Sequence, residues 1–241
     1  MGRGFSHDKN SAPLVRLQPL KLRFENFKLF PHKDSSISEH GVNYLRTLMR
    51  IIAGKYRSRR LKTPGFLKEG RSPQTVRPTS DRLRETLFNI LGPSITDSLF
   101  VDLYAGTGAI GIEAISRGAR DVFFIDRDPA SISLVRQNLE SLKISAGVEV
   151  ITADAESGLD KLAARHLIAD FIFLDPPYND DGYTKVLEYL DASHLLAPQG
   201  IVIAEHSSKL ELPERLVRLE RTRLLEQGDA ALSFYRLAAA A

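Results

Sequence analysis

Between Leu99 and Ala204 the chain repeats one pattern, a short apolar run followed by a longer stretch whose apolar residues fall on one helical face. The runs Leu99–Leu103, Val122–Ile125, Val148–Thr152, Phe171–Leu174 and Ile201–Ala204 read as strands. Helices are predicted over Ala109–Arg117, Pro129–Lys143, Glu156–Arg165 and Tyr183–Ala192. Strands that alternate with helices are joined by crossovers, so a mostly parallel sheet covered by helices is expected. From Leu216 through Leu237 two further strands meet near Gln227-Gly228-Asp229, which predicts an antiparallel hairpin on the sheet edge. The fold class expected is therefore α/β, Rossmann-like, with a mostly parallel seven-stranded sheet.

Upstream, Thr79 or Ser80 can cap a helix that runs from Asp81 to about Leu91 and stops at Gly92-Pro93. Met49 to Ala53 and Arg59 to Thr63 read as the two short strands of a small basic β-hairpin. Residues 1–48 mix Pro, Ser, His and charge without periodicity and are expected to be a poorly ordered extension. Met49 is the second of two methionines and stands at the head of the first strand-like run, so translation starting there is an expectation. The predicted division is 1–48 extension, 49–76 hairpin and 77–241 catalytic domain.

Charge is distributed unevenly along the chain. Residues 46–84 hold 12 Lys/Arg against 2 acids, whereas residues 85–241 hold 14 against 24. A concentrated cationic stretch beside an acidic body suits a phosphate backbone, because neutralising phosphates releases condensed counterions. A solvated arm would carry the same charge, but here Ile51, Ile52, Tyr56 and Leu61 are interleaved with it. Lys55, Arg57, Arg59, Arg60 and Lys62 are thus the candidate nucleic-acid contacts. The chain has no cysteine, and its six histidines form no HExxH-like pair, which argues against disulfides and a metal site. It contains no uninterrupted apolar run of membrane-spanning length, so a soluble, cytoplasmic protein with no membrane partner is expected.

The segment from Val101 to Gly111 follows a strand and opens a helix, placing a glycine-rich turn at the strand's carboxyl end. Its Gly-Thr-Gly-Ala-Ile-Gly spacing alone fits NAD or FAD equally well. Asp102 tilts the reading, since a carboxylate there repels a pyrophosphate and suits the ammonium group of S-adenosyl-L-methionine. Asp126, at the end of the next strand, is placed to accept hydrogen bonds from ribose hydroxyls. Asp154, after the third strand, can meet an adenine amino group or simply cap the following helix. The candidate cofactor set is completed by Tyr104, Ala105, Gly106, Thr107, Gly108, Arg127 and Ala155.

The fourth strand ends in Asp175-Pro176-Pro177-Tyr178. Two prolines make this backbone stiff and leave its carbonyls free to accept hydrogen bonds. Asp175 and the Pro176 carbonyl can together grip both hydrogens of an amino group, while Tyr178 offers an aromatic face to a base. Gripping both hydrogens favours the rehybridised, nucleophilic geometry that an aromatic amine needs to attack a methyl group.

These residues resemble the amino methyltransferases with a (D/N)PP(Y/F) motif and, within them, the RsmD family of bacterial enzymes that methylate guanine N2 in 16S ribosomal RNA. The resemblance runs from Met49 to about Leu237. It rests on Met49-Arg50-Ile51-Ile52-Ala53-Gly54, Arg77-Pro78-Thr79, Arg84 to Phe88, Asp102 to Gly111, and Asp175 to Tyr178. It implies that Arg77 and Thr79 help hold the methionine carboxylate. It also implies a substrate of 16S rRNA within the small ribosomal subunit or its assembly intermediate, acted on by a monomer without metal. Asp126 stands where relatives often carry Glu; either carboxylate reaches a ribose. A DNA adenine or cytosine amino methyltransferase would share the same chemical residues, but no sizeable target-recognition insert is present. A glutamine-modifying relative would normally carry Asn in place of Asp175. An NAD-dependent oxidoreductase leaves the Asp-Pro-Pro-Tyr run unexplained. The non-enzymatic alternative is an RNA-binding assembly factor.

Overall fold

The computed structural model describes residues 49–63, 78–177 and 182–239. The extension 1–48, residues 64–76 of the basic segment, Arg77, the Thr79 side chain and Tyr178 lie outside the described residues. Helix α1 (Pro78–Leu91) leads through a 3-10 turn, Gly92–Ile95, into β1 (Leu99–Leu103). There follow α2 (Ala109–Ser116), β2 (Asp121–Asp126), α3 (Pro129–Ser141), β3 (Val148–Thr152), α4 (Ala155–Ala163), β4 (Ala169–Leu174) and α5 (Gly182–Ala192). The chain closes with β5 (Leu196–Ser207), β6 (Leu219–Gln227) and β7 (Ala230–Leu237).

The seven strands form one sheet in the order β3-β2-β1-β4-β5-β7-β6. β1 pairs in parallel with β2 and β4, while β7 runs antiparallel between β5 and β6. This is the expected α/β architecture, hairpin included. Gly228, at φ 65°, occupies the two-residue turn between β6 and β7, where a side chain would be strained. β1 is buried along its whole length, so it reads as a continuous apolar run.

Strand alternation divides the core in two. On one face Phe100, Phe124, Phe171, Phe173 and Ile203 pack under α1, α2 and α3, with α1 contributing Leu83, Leu87, Phe88 and Leu91. On the other, Leu103, Ile125, Leu174 and Ala204 pack against α4 and α5 through Leu159, Leu162, Val186 and Leu190. Gly111 lets α2 lie close on the sheet, since a Cβ there would sit 2.3 Å from the Phe124 ring.

The basic segment adopts antiparallel pairing, but in place of two strands it forms a single bridge between Arg50 and Arg60. Backbone bonds from Ile51 N–H to the Arg59 carbonyl and from Leu61 N–H to the Met49 carbonyl extend it slightly. Other amides turn away. Those of Ile52 and Ala53 donate to the fully buried Glu113 carboxylate of α2 at 2.8 and 3.0 Å. Ile51 and Leu61 enter the α1 face of the core, so residues 49–63 share a core with the sheet.

Candidate active site

The carboxyl ends of β1 to β4 converge on two adjoining cavities of about 420 and 350 Å³. Tyr104, Asp126 and Arg127 line both. Asp154 and Ala155 line the larger; Asp175, Pro176 and Pro177 line the smaller. The topology switches direction here, with β2 on one side of β1 and β4 on the other, the usual position for ligands in open α/β sheets. A larger, mainly apolar cavity of about 540 Å³ lies between α4 and α5 at the opposite end of β4, near His166 and His194.

The glycine turn is held from behind. Tyr104 leaves β1 at φ 61°, a backbone region that non-glycine residues seldom adopt, followed by Gly106 at 53° and Gly108 at 75°. Gly106 N–H donates to Asp126 Oδ2 at 2.9 Å, and Ala105 N–H to the Ile125 carbonyl at 3.1 Å. The other Asp126 oxygen accepts the Asp128 amide at 2.9 Å. Asp128 in turn caps α3 through the amides of Ala130 and Ser131. Each Asp126 oxygen therefore keeps lone-pair capacity toward the cavities. Gly108 is needed for packing, since a Cβ there would press on Val135 and Phe124 at 3.2–3.3 Å. The backbone from Ala105 to Gly108 lies beside the two cavities, not among the residues that line them.

Asp102, expected to face an ammonium group, sits behind the turn instead. It is 2% exposed, lines neither cavity and accepts the Gly111 amide through Oδ2 at 2.9 Å. Burial pushes its pKa up to about 8, with the charges of Asp175 and Asp126 adding to the shift and the Gly111 N–H opposing it. Of the two readings the sequence left open, Asp154 takes that of a helix cap. It caps α4 through the Ser157 amide at 2.8 Å, which lowers its pKa, and it still borders the larger cavity.

Asp175 follows the last paired residue of β4 and opens onto the smaller cavity, yet the surrounding protein desolvates it enough to raise its pKa. Sequence reasoning missed its neighbour Glu205 on β5, just past the last residue that pairs with β4. Burial raises the Glu205 pKa, Asp175 raises it further, and Arg84 of α1 opposes. In the sequence Ile-Val-Ile-Ala-Glu matches Phe-Ile-Phe-Leu-Asp, each an apolar run closed by an acid, and that parallel was the available signal.

Lys55, Arg57, Arg59, Arg60 and Lys62 are all exposed and lie on one short segment. That segment is tied to the glycine turn by Asn138 of α3, which has no exposed surface. Its Oδ1 accepts the Lys62 amide at 2.7 Å, and its Nδ2 donates to the carbonyls of Lys62 at 3.2 Å and Thr107 at 2.9 Å. Among the described residues no group of three or more His, Cys, Asp or Glu could hold a metal, and no helix is long and apolar enough to cross a membrane.

The chain is similar to curated bacterial proteins along most of their length. It is 36% identical over 188 residues to the putative rRNA methyltransferase YlbH of Bacillus subtilis, covering 78% of this chain and 98% of that one. It is 35% identical over 192 residues to the ribosomal RNA small subunit methyltransferase D of Haemophilus influenzae, covering 78% and 92%. Among solved structures, the putative methyltransferase YhhF of Escherichia coli superposes with a TM-score of 0.68 at 31% identity, covering 80% of this chain and 99% of that one. Residues 49–236 match the family model described as conserved hypothetical protein 95, and the chain belongs to that family, the RsmD family.

Proposed function

We propose that this protein transfers a methyl group from S-adenosyl-L-methionine to the exocyclic N2 amino group of a guanine in 16S rRNA of the small ribosomal subunit. The observation that carries this reading is the meeting of Asp175-Pro176-Pro177 with Tyr104, Asp126 and Arg127 around one cavity. The names of the relatives support a ribosomal RNA substrate and a methyltransferase reaction.

The residues present fit a cationic cofactor. Asp126 lines both cavities and Asp175 the smaller, carboxylates that favour a sulfonium and an ammonium and disfavour a pyrophosphate. When bound, the cofactor supplies an electrophilic methyl group. Asp126 accepts from the ribose hydroxyls, Tyr104 and Ala155 border the nucleoside, and Arg77 and Thr79 hold the methionine carboxylate. Asp175 and the Pro176 carbonyl accept the two amino hydrogens, and Tyr178 stacks on the base. The nitrogen's lone pair forms the new bond to carbon, and the proton it then loses passes to Asp175 or to water. Lys55, Arg57, Arg59, Arg60 and Lys62 seat the enzyme on phosphates, which position without reading sequence.

The test is to map methylated nucleosides in ribosomal RNA from cells with and without the protein, complementing with the wild type or with Asp175→Ala. Loss of one N2-methylguanosine, restored only by the wild type, is expected. An unchanged methylation map would overturn the proposal. A cellular role restored in full by Asp175→Ala would favour a non-enzymatic assembly factor.

A further inference from the structure

Leu174 of β4 pairs with Ala204 of β5, so the next residues on the two strands, Asp175 and Glu205, are neighbours at the ladder's end. Both continue the phase of Phe173 and Ile203, which face α1 and α2. On that face lies Arg84, 4% exposed, its Nη2 bound to the Arg50 carbonyl at 2.7 Å and to Asp81 at 2.9 Å. Its Nε is buried without a hydrogen-bond partner. Among the described residues no hydrogen bond reaches the carboxylate of Asp175 or Glu205, although the Glu205 carbonyl accepts from Tyr183 Oη at 2.7 Å. Among the described residues, Asp102 on β1 interacts with Asp175, while Asp81 on α1 and Glu113 on α2 act on Arg84. Among the described residues Arg84 is the buried guanidinium and acids outnumber it, and two adjacent carboxyl groups in such surroundings retain one proton between them.

We propose that Glu205 is a positioning residue for Asp175: its protonated carboxyl donates to the Asp175 carboxylate, fixing that side chain and leaving its other lone pairs for the substrate's amino group. Arg84 sets the balance, because its charge disfavours a second proton on the resting pair, so that one accepted from the substrate is passed on to water. Burial with a neighbouring carboxylate favours the proton on Glu205 over Asp175. The inference rests on the methyl-transfer reading. As the carbon–nitrogen bond forms and the carbon–sulfur bond breaks with its electron pair left on sulfur, the nitrogen becomes cationic. It releases one proton to Asp175, which passes it to water, while the Glu205 proton stays within the pair.

The experiment compares the full-length wild type, Glu205→Gln and Glu205→Ala in single-turnover methyl transfer to small-subunit particles across pH. Thermal unfolding and calorimetry with S-adenosylhomocysteine serve as controls. Glutamine keeps a donor toward Asp175 and cannot ionise, so its rate should stay near that of the wild type and should not fall at alkaline pH as the wild type's does. Alanine should slow transfer by roughly 10–100-fold with cofactor affinity unchanged, the usual cost of losing an orienting partner. A glutamine variant as slow as alanine, an alanine variant as fast as the wild type, or identical pH profiles for wild type and Glu205→Gln would overturn the assignment. Infrared spectroscopy of the cofactor-free protein near neutral pH gives a readout independent of activity. Beyond the band that Asp102 gives both proteins, the wild type should show additional protonated-carboxyl absorbance that Glu205→Gln lacks, and a zero difference between them would refute the shared proton. A wild type that transfers no methyl group would instead sink the underlying reading, and the infrared comparison would still decide the pairing.

Discussion

The Asp126 carboxylate accepts the backbone amide of Gly106 at 2.9 Å, so the residue proposed to hold a ribose also shapes the turn beside it. Asp126→Ala should therefore weaken S-adenosylhomocysteine binding by about 10–100-fold, in line with 1.5–3 kcal/mol for a hydrogen bond to a charged group. Asp175→Ala should leave that affinity nearly unchanged while methyl transfer falls by two orders of magnitude or more, roughly what losing a positioned acid-base group costs. Calorimetry beside a transfer assay separates the two. Equal loss of affinity in both variants would contradict the roles given to them.

Asp102 is a buried acid whose pKa in the folded protein lies near 8, far above its value in an unfolded chain. Its proton is held more tightly by the folded state, so this contribution favours folding at low pH and is lost as pH rises toward 8. Asp102→Asn keeps an acceptor for Gly111 N–H and removes the ionisation. The variant's melting temperature should exceed that of the cofactor-free wild type by an amount that grows from about pH 4 to pH 8, at roughly 2–4 °C per kcal/mol. Scanning calorimetry across that range checks it, and a gain that shrinks with rising pH would refute the assignment.

Gly54 stands at φ 80°, and a Cβ there would lie 1.8 Å from the Ser116 carbonyl oxygen. Neither backbone can yield easily, because Lys55 N–H already donates to that same oxygen at 2.7 Å. Gly54→Ala should cost about 2 kcal/mol or more. A melting temperature within a degree of the wild type's would show that the segment is not fastened to α2 as described.

Glutamate at Arg57, Arg59 and Arg60 together should weaken binding to small-subunit RNA and flatten the dependence of log affinity on log salt by roughly 2–3. These side chains are exposed, so folding should be unaffected. Filter binding at several salt concentrations measures the slope. An unchanged slope would remove this segment from the RNA interface.

The sheet was legible because its signals are local. Each strand is a short apolar run, each helix carries its own face, and Gln227-Gly228-Asp229 marks its own turn. The basic segment was less legible because its partners are about sixty residues away. The amides of Ile52 and Ala53 bond to Glu113, and no local pattern announces that a helix will take the place of a facing strand. Asp102 and Glu205 were less legible for a related reason. Asp102 was expected at the ligand but is turned to Gly111, and Glu205 gains its meaning only from its register beside Asp175.

The buried amide of Asn138 has a geometric consequence. By clasping Lys62 and Thr107 at once, it makes the cationic arm and the glycine turn parts of a single gauge. An enzyme built this way would select its base partly by reach, because the span from gripped phosphate to reacting nitrogen would be fixed before any RNA arrives.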